Sequence, residues 1–569
     1  MSNVATHVPL GKRNLRDQTI MWARNLLFWA IVGGASAVAV AWLFIPPGSE
    51  ADRTVELPSP VELQTTVNRI DASFQREWRA AEIQPTAKAP DLAIARRLSL
   101  ALTGTVPSLE EIRQFEARPA DDRIEWWTAK LLADRRCADY LAERMARVYV
   151  GVENGPFLLY RRRRFVTWLS DQLHANRPYD ETARELITAV GVWTDSPATN
   201  FLTVTVMGGD DEKDKKPDAD QMAGRVARAF LGVRLDCVRC HDDHMGGDWK
   251  QSDFQGLAAY FGAADLTFTG VRDGDGHYEP KAGDNVSEDK KAAETAPVDP
   301  RVPFLADLEV NAESLRGQLA EWITHPQNKA FARATVNRVW ALLLGRPLVY
   351  PIDDLPLDES DLPEPLVILA DDFIAHGYDL RRLIHMIAGS RVFQLDSRAD
   401  PEIAGHALTN EHRQHWAAFP LTRLRGEQVV GALLQSASLQ TIDSDSHIIL
   451  RFVRASGQNE FIKRYGDAGE GEMEEGGGTI PQRLLMMNGD LVKDKTKDSL
   501  ISNAATRIAV LAPEAAAAVE MAYLAVLSRR PTKPELDHFV ARLDEGDHKE
   551  HLEDLYWTLL NSTEFSWNH

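Results

Sequence analysis

The stretch "HLEDLYWTLLNSTEFSWNH", His551–His569, decides the fold class. Leu552, Leu555, Tyr556, Leu559 and Leu560 recur at three- and four-residue spacing, so one face of a helix is apolar and belongs to a core. Just upstream, "RPTKPELDHFVARL" places Thr532 three residues before Glu535, the reciprocal pair in which each side chain satisfies the other's free amide at a helix start. "PSLEEIRQFEAR" repeats the device near the other end of the chain with Ser108 and Glu111. Helical patterning fills most of the chain between these points. Strand-like alternation is scarce, and "NFLTVTVMGG", Asn200–Gly209, is its best candidate, read as a short hairpin arm. The expected architecture is mainly α: two helical domains with long loops, preceded by one N-terminal transmembrane helix.

That helix is expected over 26–45, "LLFWAIVGGASAVAVAWLFI", an uncharged run long enough to cross a hydrocarbon core. Trp22, Trp29 and Trp42 suit interfacial positions near its ends. Lys12, Arg13, Arg16 and Arg24 precede it and "PPGSEAD" follows, so the positive-inside rule leaves the N-terminus in the cytoplasm and exports the rest. A cleaved signal peptide is the competing reading, but the apolar run continues past its small residues and exceeds the usual length of a signal sequence. The expected location is the inner membrane, single-pass, with the bulk of the chain in the periplasm.

The chain has 569 residues, too many for one ordinary core. The expected organisation is a cytoplasmic segment 1–25, the anchor 26–45, a proline-rich linker 46–66, a first helical domain 67–269, a Gly, Pro, Asp and Lys-rich linker or loop 270–304, and a second helical domain 305–569. The net charge of −20 argues against a nucleic-acid partner, because neutralising phosphates needs surplus Lys and Arg. Three cysteines exclude a disulfide scaffold. Cys137, in "DRRCADYLAERM", reads as a small residue half-buried in a helix.

The other two cysteines lie in "LGVRLDCVRCHDDHMGGDW", Leu231–Trp249. Two thiols three positions apart with an adjacent imidazole are the requirement for covalent haem c, with Cys237 and Cys240 as thioether ligands and His241 on the iron. A second axial ligand is not obvious. His244 and Met245 are too close to His241 to reach the opposite face of one porphyrin, and the distant candidates are His277, Met473, Met486 and Met487. A second reading takes Cys237, Cys240, His241 and His244 as four N and S ligands for tetrahedral zinc or iron, with Asp242, Asp243 and Asp248 orienting the imidazoles. A third joins Cys237 and Cys240 in a disulfide.

Three stretches carry a family likeness: "LTGTVPSLEEIRQF", "RVARAFLGVRLDCVRCHDDH" with "DFQGLAAYFG", and "NRVWALLLGRPLVYPIDDL" with the closing "LLNSTEFSWNH". They resemble the planctomycete cytochrome-like domain (domain of unknown function 1549) followed by its companion (domain of unknown function 1553), from about Val67 to the C-terminus. The resemblance implies a cytochrome-like first domain, though that label itself rests on the CxxCH. This sequence departs from the usual pattern at two histidines. The one after the CxxCH stands one place further on, in "CHDDHMGGDW", and the one common before Pro-Glu-Leu is replaced by Leu362 in "SDLPEPLVIL".

The expected function is that of an exported, membrane-anchored c-type-cytochrome-like protein passing electrons to a redox partner protein. The alternatives are a non-haem metal protein or enzyme acting on anionic polysaccharide at the cell envelope, and a scaffold or binding protein without a redox centre. Arg161–Arg164 suit oxyanions but are expected to pair with surface carboxylates. Asp273, Asp275 and Glu279 lack the full spacing of a calcium loop and read as a turn. Arg338 is expected to pair with Asp353 or Asp354. No nucleophile elbow, phosphate loop or zinc-protease signature is present in the sequence.

Overall fold

A computed structural model of the protein describes residues 60–152, 161–208, 216–242, 249–280, 296–399, 407–442, 464–465, 479–489, 492, 503–512 and 514–569. By internal contacts the chain divides into two units, Met1–Asp52 with Ile442–Arg454, and Arg53–Thr441 with Ala455–His569. The first unit, apart from Ile442, lies outside the described residues, and with it the anchor expected over 26–45. Among the described residues no helix is long and apolar enough to cross a membrane.

The second unit is mainly helical. Its N-terminal part holds α1 (Pro60–Ala80), α2 (Asp91–Thr103), α3 (Leu109–Glu116), α4 (Arg123–Ala133), α5 (Arg135–Val150), α6 (Arg162–His174), α7 (Tyr179–Thr188), α8 (Ala219–Val226) and α9 (Gln251–Ala259). An antiparallel hairpin follows, β1 (Ala264–Thr267) and β2 (Gly270–Asp273), with Ala264 opposite Asp273. Next come α10 (Leu315–Ile323), α11 (Lys329–Leu344), α12 (Glu364–Ala375) and α13 (Leu380–Gly389). The chain closes with α14 (Gly426–Ser436), α15 (Ile480–Asn488), α16 (Ala504–Leu511), α17 (Ala515–Leu527), α18 (Lys533–Asp544) and α19 (His548–Leu560). Strand β3 (Thr422–Arg423) pairs with β4 (Trp567–Asn568).

Local chemistry starts these helices as the sequence predicts. Ser108 N donates to Glu111 Oε2 at 2.8 Å and Glu111 N donates to Ser108 Oγ at 3.0 Å, closing the capping box of α3. Thr532 N donates to Glu535 Oε2 at 2.7 Å at the head of α18. Asp134 and Asp379 accept first-turn amides of α5 and α13. The predicted stripe of Leu552, Leu555, Tyr556, Leu559 and Leu560 is buried in full.

Among the described residues, buried apolar side chains gather in two clusters. The first runs from Leu63 to Phe419 and contains residues of both predicted helical domains, from Phe230 and Val238 to Phe331 and Trp340. Helix α11 is its axis: nearly all of its residues are buried, and it packs on α2, α12, α13 and the end of α8. Full burial of side chains such as Phe331 contributes about 1.5–3 kcal/mol each. The second cluster joins Leu100, Val106, Leu109 and Ile112 of the α2–α3 region to the C-terminal helices.

Three expectations change. Asn200–Thr203 is a helical turn and Val204–Gly208 a 3-10 turn, not a hairpin arm. Asn200, Phe201, Leu202 and Thr203 are all buried in succession, which a strand with one wet face does not allow, and Asn200 Nδ2 donates to Pro197 O at 2.7 Å, tightening the turn. Arg338 donates to Ala229 O at 2.7 Å and Arg228 O at 3.2 Å, while Asp353 pairs instead with Arg234. Cys137 is buried more deeply than expected, and burial pushes its thiol up to about 12.

The arginine run keeps its reading, whereas Asp273, read as part of a turn, ends strand β2. Arg162 pairs with Glu143 at 2.8 Å, as expected of the arginine run. Asp273 accepts from Arg316 Nε at 2.6 Å, so its carboxylate serves a buried guanidinium. The described ends of 270–304 are packed: Tyr278 donates its hydroxyl to Asp220, and the Phe304 ring lies 4.9 Å from that of Trp322.

Candidate functional site

Helix α8 ends in a π-turn, Ala227–Leu231, which Gly232 terminates in the left-handed region at φ +65°. A side chain there would be strained and crowded, because a Cβ would lie 2.9 Å from Leu355 Cδ1 and 3.0 Å from Ala334 Cβ. The Gly232 carbonyl accepts from Leu355 N at 2.8 Å. A 3-10 turn, Leu235–Val238, follows, and Leu235 and Val238 fill the core from it. Residues three apart eclipse in such a turn. Burial of 235 and 238 therefore leaves Asp236, Cys237, Arg239, Cys240 and His241 facing solvent, as they do.

The turn is fastened on every side. Arg234 Nη2 lies 2.7 Å from Asp353 Oδ1, and this hydrogen bond, then the nearby Asp354 and the Cys237 sulfur, holds its guanidinium above its ordinary value. Arg239 is held up by its hydrogen bond to the Cys240 sulfur and by Asp220 and Asp218 beyond it. Gln251, the first residue of α9, donates its backbone N to Asp242 Oδ1 at 2.9 Å and its side chain to Arg239 O at 3.1 Å. Elements before and after the motif thus share in holding it.

The His241 ring is oriented by its own neighbour. Nδ1 lies 2.8 Å from the Asp242 carbonyl oxygen. That oxygen only accepts, so in the neutral ring Nδ1 carries the proton and Nε2 the lone pair, the tautomer in which Nε2 can ligate a metal. The donor set of Cys237, Cys240 and His241 therefore fits covalent haem attachment, with thiols reachable from solvent and an imidazole in the ligating form.

The fourth ligand of the alternative metal site, His244, lies outside the described residues, as do Asp243, Met245 and Asp248. Among the described residues no group of three or more His, Cys, Asp or Glu side chains is gathered to hold a metal ion. Of the distant axial candidates, Met486 is buried in the second cluster, His277 and Met487 are not buried, and Met473 lies outside the described residues. Leu362 is a buried core residue before α12.

Two family models match the chain in the order the sequence suggests. A protein of unknown function, DUF1549 (PSCyt2), covers residues 69–265, and a protein of unknown function, DUF1553 (PSD1), covers residues 315–448. The chain is a DUF1549–DUF1553 protein. No curated protein and no solved structure matches it. In this DUF1549–DUF1553 chain the Cys237–His241 turn belongs to the first matched segment, while Ala334, Arg338, Asp353 and Leu355, which hold that turn, belong to the second. Sequence reasoning picked out the candidate ligands and missed the clamp. The signal was present in "NRVWALLLGRPLVYPIDDL", but one chain does not say which distant segment those polar residues face.

Proposed function

We propose that this protein carries one haem c on Cys237 and Cys240, with His241 as the iron ligand, and transfers electrons to a partner. The bulk of the chain would be exported and held at the inner membrane by 26–45. One observation carries the reading: two exposed thiols and an imidazole in its ligating tautomer are presented together by a turn that Leu235 and Val238 anchor in the core.

The haem supplies a one-electron redox centre when bound. Cys237 and Cys240 would hold it through thioether bonds, and the Asp242 carbonyl fixes the proton on His241 Nδ1 so that Nε2 is the ligating atom. Leu235 and Val238 keep the turn from shifting, and Arg234 and Arg239 place positive charge beside both sulfurs. An electron-transfer site gains from such rigidity, because small changes in ligand geometry on oxidation keep reorganisation low.

Expression of the full chain in a host that matures c-type cytochromes tests this. After denaturation and extraction, the reduced pyridine adduct keeps a covalent haem c absorption band. A protein without the band, in a host where a control cytochrome matures, contradicts the proposal. Zinc or iron that is retained by the parent and lost in Cys237→Ser would then favour the four-ligand site that includes His244.

A further inference from the structure

Away from the CxxCH turn, a cleft of about 440 Å³ opens between the start of α2 and the end of α17. Six guanidiniums line it, those of Arg96, Arg97, Arg123, Arg398, Arg529 and Arg530, against the side-chain carboxylates of Asp91, Glu116 and Asp396 and the terminal carboxylate of His569. Three of the six are neutralised. Arg123 lies 3.4 Å from Asp91, Arg529 lies 2.6 Å from Glu564 and 2.9 Å from Glu535, and Arg530 lies 2.5 Å from Glu116 and 2.8 Å from Glu520.

The other three are not so compensated. Arg96 is 1% exposed and donates Nη1 to Val526 O at 3.1 Å and Nη2 to Phe565 O at 3.3 Å, while its buried Nε has no acceptor among the described residues. Arg97 is fully buried; it donates Nε at 2.8 Å to a carboxylate oxygen of His569, the last residue of the sequence, and Nη1 to Phe393 O and Leu395 O, and lies 3.7 Å over the Phe419 ring. Among the described residues neither guanidinium is ion-paired with a side-chain carboxylate. Arg398 is exposed and its nearest carboxylate oxygen, on Glu564, is 3.7 Å away and already shared with Arg529.

Burial pushes Arg96 down to about 10, with Glu564 partly opposing, and Arg97 down to about 9, with Asp396 opposing and Arg398 adding to the fall. A buried guanidinium bonded only to main-chain carbonyls, as Arg96 is, is costly, and an anion in the cleft would relieve it. Ser528 adds a neutral donor on the same wall. It is fully buried, its Oγ has no partner among the described residues, and its backbone sits at φ +54°.

We propose that this cleft binds a phosphate or sulfate ester, its oxyanion held by Arg96, Arg97, Arg398 and Ser528 and its organic part lying against Leu92, Phe115 and Leu527. Guanidinium forks match the paired oxygens of such groups, and the volume is that of a small-molecule site rather than of a bare ion.

Calorimetric titration of the full chain with 4-nitrophenyl phosphate and 4-nitrophenyl sulfate tests it, with 4-nitrophenol and ionic-strength-matched chloride as controls. Saturable binding of at least one ester and none of the controls is expected, and the tighter ester names the head group. Ser528→Gly removes the hydroxyl at a position whose φ suits glycine, so the variant keeps its melting temperature while ester affinity falls about tenfold. Arg398→Gln, at an exposed side chain, also weakens binding. Absence of saturable binding, equal heats with 4-nitrophenol, or unchanged affinity in both variants would overturn the proposal.

Discussion

Arg234 Nη2 stands 2.7 Å from Asp353 Oδ1, an ion pair that ties the residue three places before Cys237 to the segment following α11. Its arginine is 45% exposed, so solvent and salt screen the pair. A double-mutant cycle of Arg234→Ala and Asp353→Ala is expected to give a coupling of about 0.5–1 kcal/mol in urea melts, shrinking towards zero in molar salt. A coupling near zero at low salt would remove this pair from the clamp.

Gly232 tests the clamp sterically. Gly232→Ala combines left-handed strain with overlap on Leu355 and Ala334, and is expected to cost about 2–4 kcal/mol. Gly377→Ala is the control, because Gly377 has φ +66° but a Cβ added there would meet nothing within 4 Å, and it is expected to cost about 1 kcal/mol. Equal losses of stability in the two variants would show that contact across to α11 contributes little.

Two acid transitions are expected, in separate pH windows. Burial, reinforced by Arg381 and opposed by Asp379, pushes His385 down to about 4 from 6.5. The unfolded chain therefore binds that proton first, so stability is complete above about 6.5 and is lost as pH falls towards 4. Glu535 is held down at about 2, chiefly by Arg529, with Thr532 also lowering it. Its contribution is complete above the ordinary glutamate value of 4.5 and is lost as pH falls towards 2. Glu535→Gln keeps a capping side chain but removes the charge, so its melting temperature should fall below the parent's at pH 7 and converge with it near pH 2. A constant gap across that range would contradict the assignment.

The sequence exposes what is local. Ser108 with Glu111, Thr532 with Glu535, and the stripe from Leu552 to Leu560 each act within one or two helical turns, so their spacing shows directly in the chain. The candidate ligands were equally legible, because CxxCH is a contiguous pattern. What stayed hidden depends on long-range placement. Arg338 reaches the backbone of Ala229 rather than a nearby aspartate, and Asp353 turns to Arg234, 119 positions away in the chain. "NFLTVTVMGG" alternates like a strand, yet tertiary burial of successive residues makes it helical. The arginine cleft assembles residues from α2, the segment after α13 and the end of α17, and no stretch of sequence contains it.

The central claim is tested most directly by the intact mass of the full chain, matured beside a working cytochrome c assembly system and measured under denaturing conditions. The parent is expected to carry one haem mass, and the Cys237→Ser, Cys240→Ser double variant none. A parent with the mass of the bare polypeptide, while the control cytochrome in the same cells is loaded, would contradict the account.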